Sequence, residues 1–292
     1  MTRLTSYIGY FFLRLTVELF RFVPFAVLYV FSDGLAFLLL HLIGYRKKVV
    51  LDNLRRAFPD KSESDIRALL WPSYQNLTDT TLETIKIFTL PVAEANRRCP
   101  VLNAELVNQY LDRGQSIILA GSHYNNWEIT GLTMPPCFHG ATVTAYKPLT
   151  NKVIDQYLNQ GRSRTGMEMV SMDGTFSEMR KRREQATVFI LIADQSPSSP
   201  KSAHWVPFLG QDSASLPGVD VLARKFAFPV LYFNIQRLRR GYYTVHFETI
   251  WAEPAEAKEA DITRSYARHL EAIIRHQPES WLWSHKRWKI KR

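Results

Sequence analysis

A histidine with a glutamate five positions later, His123 and Glu128, closes the apolar run Ser116-Ile117-Ile118-Leu119-Ala120-Gly121-Ser122. An imidazole held by a carboxylate is a general base suited to taking a proton from a hydroxyl. Residues five apart on one continuous helix do not share a face, whereas neighbours three or four apart do. The pair can therefore converge only if His123 sits on a turn at a strand end and Glu128 lies in the first turn of the next helix. Asn125 or Asn126 would cap that helix. A plainer reading uses the same residues: Glu128 fits the third helical position of a capping box begun by Asn125. Strand-end placement favours chemistry, because open α/β sheets bind ligands beyond the carboxyl ends of their strands.

Three more segments would reach the same sheet edge. Arg162 and Arg164, in Gly161-Arg162-Ser163-Arg164, could hold an anionic headgroup or a developing oxyanion, or simply complement a helix carboxyl end. Asp194-Gln195 follows the run Val188 to Ala193 and places a carboxylate at the mouth of a buried strand, unless it only starts a turn ahead of Pro197. Pro207-Phe208-Leu209-Gly210 and Ser213-Ala214-Ser215 precede Pro217-Gly218 and read as a loop leading into a helix amino end. That end could bind an anion through its backbone N–H groups, with Ser215 as the alternative cap. His285 is a second candidate base, but Trp281, Trp283 and Trp288 beside it suit an interfacial or core patch better. Ser122 next to His123 suggests a lipid hydrolase, yet no Gly-x-Ser-x-Gly elbow surrounds it.

The elements that must position these residues alternate along the chain. Expected strands are Ser116 to Ala120, Ala141 to Tyr146, Met167 to Val170, Thr187 to Ala193, Pro229 to Gln236 and Tyr242 to Ile250. Helical patterns fall near Trp127 to Leu132, Lys152 to Gly161, Thr175 to Arg183, Val219 to Phe226 and Ala260 to His276. The order implies an α/β fold, a mainly parallel mixed sheet flanked by helices, with an antiparallel pair near Gly241. Upstream, Val49 to Phe58 reads as a helix closed by Pro59. Ser62 and Asp65 form a capping-box pattern opening a helical region to Phe88, with a break at Pro72. Pro91 starts a linker, Leu102 to Leu111 is another helix, and Ser196 to Ser202 is a loop.

The net charge of +10 calls for an anionic partner. Its basic residues lie in knots at Arg46-Lys47-Lys48, Arg180 to Arg183, Arg237 to Arg240 and Lys286 to Arg292. No nucleic-acid-binding motif accompanies them, so no nucleic-acid partner is expected. The two cysteines form no disulfide framework, and the eight scattered histidines include no His-x-x-x-His pair, so no metal site is expected. Phe22 to Ile43 is long enough to cross a bilayer, though Pro24 and Ser32-Asp33-Gly34 interrupt it. Residues 4–21, with Arg14, Glu18 and Arg21 among aromatics, suit an interfacial helix, and no signal-peptide cleavage pattern follows. Basic residues just past the apolar stretch favour a catalytic body on the cytoplasmic side. The expected organisation is membrane-associated helices over 1–45, a helical segment packing on the catalytic body over 46–112, and an α/β core over 113–292.

These residues together resemble the late acyltransferases of lipid A biosynthesis, within the wider lysophospholipid acyltransferase superfamily. The resemblance runs over nearly the whole chain. His123 and Glu128 match the family's His-x4-Asp/Glu motif, Gly161-Arg162 with Arg164 its arginine segment, and Asp194-Gln195 its acidic strand end. Asn53-Leu54 with Ala57-Phe58-Pro59, Val206 to Gly210 with Ala214, Leu222-Ala223-Arg224 and Pro278 to Lys289 complete the order. Ser213 and Ser215 stand where threonines are usual, and Trp288 where phenylalanine is usual. The resemblance implies transfer of a fatty acyl chain from an acyl carrier protein thioester to a hydroxyl of a lipid A precursor, with no cofactor. His123 and Glu128 would be catalytic, while Arg162, Arg164, Asp194 and Gln195 would bind substrate or stabilise the oxyanion. Its setting would be the bacterial inner membrane, with a lipid acceptor in that membrane and an anionic membrane surface as partners. Another lysolipid or an aminolipid is the alternative acceptor.

Overall fold

The computed structural model describes residues 3–292. Seven helices come first: α1 (Arg3–Phe22), α2 (Phe25–Phe37, continued by a wider helical turn over Leu38–Ile43), α3 (Lys47–Ala57), α4 (Glu63–Ala68), α5 (Leu70–Ile87), α6 (Val92–Arg98) and α7 (Glu105–Leu111). Alternation then begins with β1 (Ile117–Gly121), α8 (Trp127–Thr133), β2 (Ala141–Tyr146), α9 (Lys152–Arg162), β3 (Met167–Ser171), α10 (Thr175–Lys181) and β4 (Thr187–Ile192). A hairpin of β5 (His204–Phe208) and β6 (Gln211–Ser215) precedes α11 (Gly218–Phe226), β7 (Val230–Arg239), β8 (Tyr242–Trp251) and α12 (Asp261–His276).

Six strands form one sheet in the order β3-β2-β4-β1-β7-β8, parallel except for β8, which pairs antiparallel with β7. This is the expected α/β class. Helices cover both faces, which explains why β1 and β4 read as unbroken apolar runs rather than alternating ones. Successive side chains still go to opposite faces. Ile118, Ala120, Phe189 and Leu191 pack toward α3, α11 and α12, while Ile117, Leu119, Val188 and Ile190 pack toward α6, α7 and α8.

Several local readings change. The break between α4 and α5 falls at Leu69, because Pro72 sits in the first turn of α5, where a missing N–H leaves no gap. The stretch after Pro91 is the short helix α6, not a linker. The segment from His204 to Ser215 is a hairpin rather than a loop, and Ser215 does not cap α11; its hydroxyl accepts from Arg287 at 2.9 Å. The basic knot at Arg237 to Arg240 is partly internal: Arg237 pairs with Asp79, and Arg240 with Asp79 and Asp33. Phe25–Ile43 is long and apolar enough to cross a membrane.

Candidate active site

Strand register builds the centre. Gly121 on β1 faces Ile192 on the adjacent parallel strand β4, and Ala193 N–H continues the ladder to the Gly121 carbonyl. Two residues past each of those partners come His123 and Asp194, so both leave the sheet side by side. His123 Nδ1 and Asp194 Oδ1 are 2.7 Å apart. Gly121 has to be glycine here, because a β-carbon would overlap the Phe233 ring. A left-handed backbone at Asn125 (φ 51°) then turns the chain toward α8, a conformation asparagine tolerates well. Asn126 caps α8, accepting from Ile129 N–H at 3.1 Å, and its amide is held at 2.7 Å by the buried Glu83. Glu83 also accepts from Tyr29 and Tyr243.

Glu128 lies in the first turn of α8, as its spacing required. Its hydrogen-bond partner is not the imidazole, however. Arg162, the last residue of α9, grips it bidentately at 3.0 and 2.6 Å. Glu128 therefore does not orient the ring as its spacing suggests: Asp194 makes that contact, and Glu128 acts on the ring only through its charge. Asp194 is itself fixed by Trp281 Nε1–H, which donates to Oδ2 at 2.9 Å. The Trp281 segment is pinned to the histidine loop, since Leu282 N–H donates to the His123 carbonyl and Asn125 N–H to that of Ser280.

Burial disfavours the imidazolium, but the Asp194 charge and hydrogen bond, helped by the Glu128 charge, outweigh it and hold the His123 pKa above its ordinary value. Burial would raise Asp194, yet the His123 charge and the hydrogen bonds from His123 and Trp281 pull it below the usual carboxylate range. The two directions agree: this is a pair that favours the proton on nitrogen. With Nδ1–H directed at Asp194, Nε2 carries the lone pair, and the Gln195 amide lies 3.3 Å from it. The Trp127 ring meets the imidazole edge-on at 4.9 Å.

His123, Trp127 and Glu128 line two grooves at once. One, about 310 Å³, runs between α5 and the Trp281–Ser284 segment, past Asn76, Thr80 and Thr84. The other, about 540 Å³, is bounded by β2, β4, α9 and α11, with Met167, Met169, Ile190 and Phe233 among its walls and Arg162 and Gln195 at its polar end. The imidazole thus stands where two compartments meet.

The remaining candidates sort clearly. Arg164 is not at the centre: its guanidinium donates to the carbonyls of Ile87, the last residue of α5, and of Leu90 just beyond it, the structural use of such a residue. His285 Nε2 accepts from Ser196 N–H, and burial lowers its pKa to about 4, so it is a neutral structural acceptor. Ser122 is buried, with its hydroxyl 2.7 Å from that of Tyr232. Among the described residues no cluster suited to a metal ion occurs. Trp281, whose sequence setting suggests only an apolar patch, is the contact at this centre that spacing along the chain does not disclose.

Residues 1–290 match the family described as bacterial lipid A biosynthesis acyltransferase. The chain is similar to the lipid A biosynthesis lauroyltransferase of Escherichia coli K12, 24% identical over 273 residues, which is 92% of this chain and 87% of that protein. It is also similar to the lipid A biosynthesis palmitoleoyltransferase of the same organism, at 20% identity over 84% of this chain and 79% of that one. A third relative, the lipid A biosynthesis acyltransferase of Haemophilus influenzae, is 21% identical over 92% of this chain and 86% of its own length.

Proposed function

Since the chain belongs to the bacterial lipid A biosynthesis acyltransferase family and is an acyltransferase, we propose that it moves a fatty acyl chain from an acyl carrier protein thioester to a hydroxyl of a lipid A precursor. His123 Nε2 takes the proton of the acceptor hydroxyl as that oxygen attacks the thioester carbonyl. Asp194 holds the ring in the required tautomer and stabilises the imidazolium. The tetrahedral intermediate then collapses, the C–S bond breaks, and the departing sulfur takes the proton back from Nε2. No acyl-enzyme forms. Arg162, held in place by Glu128, supplies the donor to the oxyanion or an acceptor phosphate, and the Gln195 amide, beside Nε2, yields that position to the acceptor hydroxyl and becomes a second donor.

The larger groove, with its methionine and isoleucine walls, is the compartment for the acyl chain, and the smaller one beside α5 receives the acceptor. Arg182 is committed to Glu168 and Glu178, so an acidic carrier protein would meet the exposed Arg180, Lys181 and Arg183. The N-terminal helices hold this body on the cytoplasmic face of the bacterial inner membrane, where acceptor and product both reside. We also propose the division into membrane helices (1–45), a helical segment (46–112) and the α/β core (113–292).

The observation that carries this reading is the His123–Asp194 dyad at the junction of two grooves. His123→Ala should abolish transfer from acyl carrier protein to a lipid A precursor while the melting temperature stays within a few degrees. Full turnover in that variant would end the proposal. Thioester consumption equal with and without acceptor would instead indicate a hydrolase. Mass spectrometry of the product lipids identifies the acceptor, and acylation of another lysolipid or aminolipid alone would move the activity to that class.

A further inference from the structure

The contacts of α2 bear on how the chain meets a membrane. Phe25–Ile43 has 19 residues, which at ~1.5 Å per residue would just match a ~30 Å hydrocarbon core. A spanning helix satisfies its polar groups internally or against other membrane segments. This one does neither. Leu28, Ser32, Ala36 and Leu40 recur every fourth residue and form one buried stripe, and α2 packs along α5. Tyr29 donates to Glu83, Ser32 to Asp79, and Asp33 accepts from Gln75 at 2.7 Å. Arg240, from the β7–β8 turn, reaches the Asp33 carboxylate at 2.7 and 2.9 Å.

Asp33 and its partners stand at the middle of the 19-residue stretch. If α2 crossed the bilayer, the midplane would hold Asp33, Asp79, Glu83, Arg237 and Arg240, and with them α5 and the β7–β8 hairpin. Charged groups are costly there even when paired, and lipid-exposed open sheet edges do not occur. The opposite face of α2 is bare and apolar: Val30, Phe31, Leu42 and Ile43 are 60–72% exposed. Helix α1 repeats the pattern. Its Phe11, Phe12, Leu19 and Phe22 are exposed, while Tyr10 packs on Tyr157 of α9 and the Phe20, Arg21 and Val23 carbonyls accept from Lys86 of α5.

We propose that α1 and α2 lie in the plane of one leaflet, each with one face on the catalytic body and the other among acyl chains, and that neither crosses the bilayer. This rests on the membrane-surface reading above and deepens it. The occupant of the bare faces is lipid, with an anionic headgroup component. Arg14, Arg21, Arg46 and Lys48 flank the apolar faces, where long basic side chains can reach phosphates. Both helices rest on α5, and α1 also on α9; other residues of α5 and α9 line the two grooves, so a lipid would enter the site from the leaflet in which the helices lie.

The test places single cysteines at Arg21 and Lys48, exposed positions before and after α2, in separate Cys137→Ala variants of the full chain. Membrane vesicles from expressing bacterial cells, inverted and right-side-out, are treated with a membrane-impermeant maleimide before and after detergent. Both positions labelling from the same face is the expected result. Labelling from opposite faces overturns the in-plane placement, and acyl transfer persisting in those vesicles would leave the catalytic reading intact. A chain absent from the vesicles removes the membrane reading and this inference together. A chain that leaves them in alkaline carbonate as a stable dimer has a second copy on these faces, which also overturns the proposal.

Discussion

Asp194→Asn separates the positioning of His123 from mere burial. The carboxylate's side-chain partners are His123 Nδ1 at Oδ1 and Trp281 Nε1 at Oδ2. An indole N–H can only donate, so the asparagine oxygen must turn to Trp281. That leaves the NH2 facing His123 Nδ1. The ring then accepts at Nδ1 and carries its proton on Nε2, which disables it as a base. Losing a charge-assisted hydrogen bond is worth ~1.5–3 kcal/mol, or roughly 10- to 150-fold in rate. The inverted tautomer adds to that, and the same exchange in serine proteases lowers turnover by ~10⁴. We expect kcat/KM to fall by ~10³ to ~10⁴ for Asp194→Asn, with KM for the thioester nearly unchanged.

Two further readouts follow. Wild-type kcat/KM should rise with pH along a limb centred above the ordinary histidine value of about 6.5, because the raised pKa keeps the imidazole protonated until then. Without the Asp194 charge the burial contribution remains, so any residual activity of Asp194→Ala should titrate lower. In Trp281→Phe/Asp194→Asn the carboxamide is free to turn its oxygen back to Nδ1–H, and activity should recover at least ~10-fold over Asp194→Asn alone. A loss below ~10-fold in Asp194→Asn, or a double variant no better than the single one, would refute the tautomer argument.

The other predictions concern the groups around this dyad. Glu128→Gln and Arg162→Lys each break a bidentate pair and should reduce kcat/KM by ~10- to ~100-fold, and a double-mutant cycle should give ~1.5–3 kcal/mol of coupling. Additive losses would show that the two groups act separately. Ser122→Ala should keep activity within a few-fold in the transfer assay and cost about 1–2 kcal/mol of stability in denaturant unfolding, because the Tyr232 hydroxyl loses its partner. Abolished transfer in a folded Ser122→Ala protein would revive a serine nucleophile. Glu83→Ala strands the Asn126, Tyr29 and Tyr243 donors in a buried site and should destabilise by about 3–5 kcal/mol by thermal or chemical denaturation.

Elements whose pattern is periodic were readable in the sequence, and those set by distant contacts were not. Strand β2 falls where its residues placed it, and β1 and β4 within a residue or so, because apolar runs bounded by turn residues are local signals. The β5–β6 hairpin turns through Leu209 and Gly210, both left-handed, at φ 50° and 73°. Such a turn normally announces itself with Asn-Gly or Asp-Gly. Leucine stands there because its side chain is fully buried and its N–H donates to Glu271 of α12 at 2.7 Å. Tertiary packing overrode the local preference, so the strands read as a loop.

The site itself shows the same division between local and distant information. Glu128 was visible because it is five residues from His123. Asp194, 71 residues away, became a partner only through the register that sets Gly121 opposite Ile192. A parallel pair of buried strands carries residues at equal distances past its ends to the same place, so His123 and Asp194, each two positions beyond the paired residues Gly121 and Ile192, meet through a register that spacing along the chain does not reveal. The hairpin and the terminal segment obey the same logic. Ser213 and Trp288 lie 75 positions apart, yet the Trp288 indole donates to the Ser213 hydroxyl at 2.7 Å, while Arg287 reaches Ser215 and the Ala214 carbonyl. Phenylalanine at 288 has no N–H to give, so tryptophan and serine here form a hydrogen bond that a phenylalanine could not replace. That bond ties the terminal segment carrying Trp281 to the hairpin, and through Trp281 it steadies the carboxylate that orients His123.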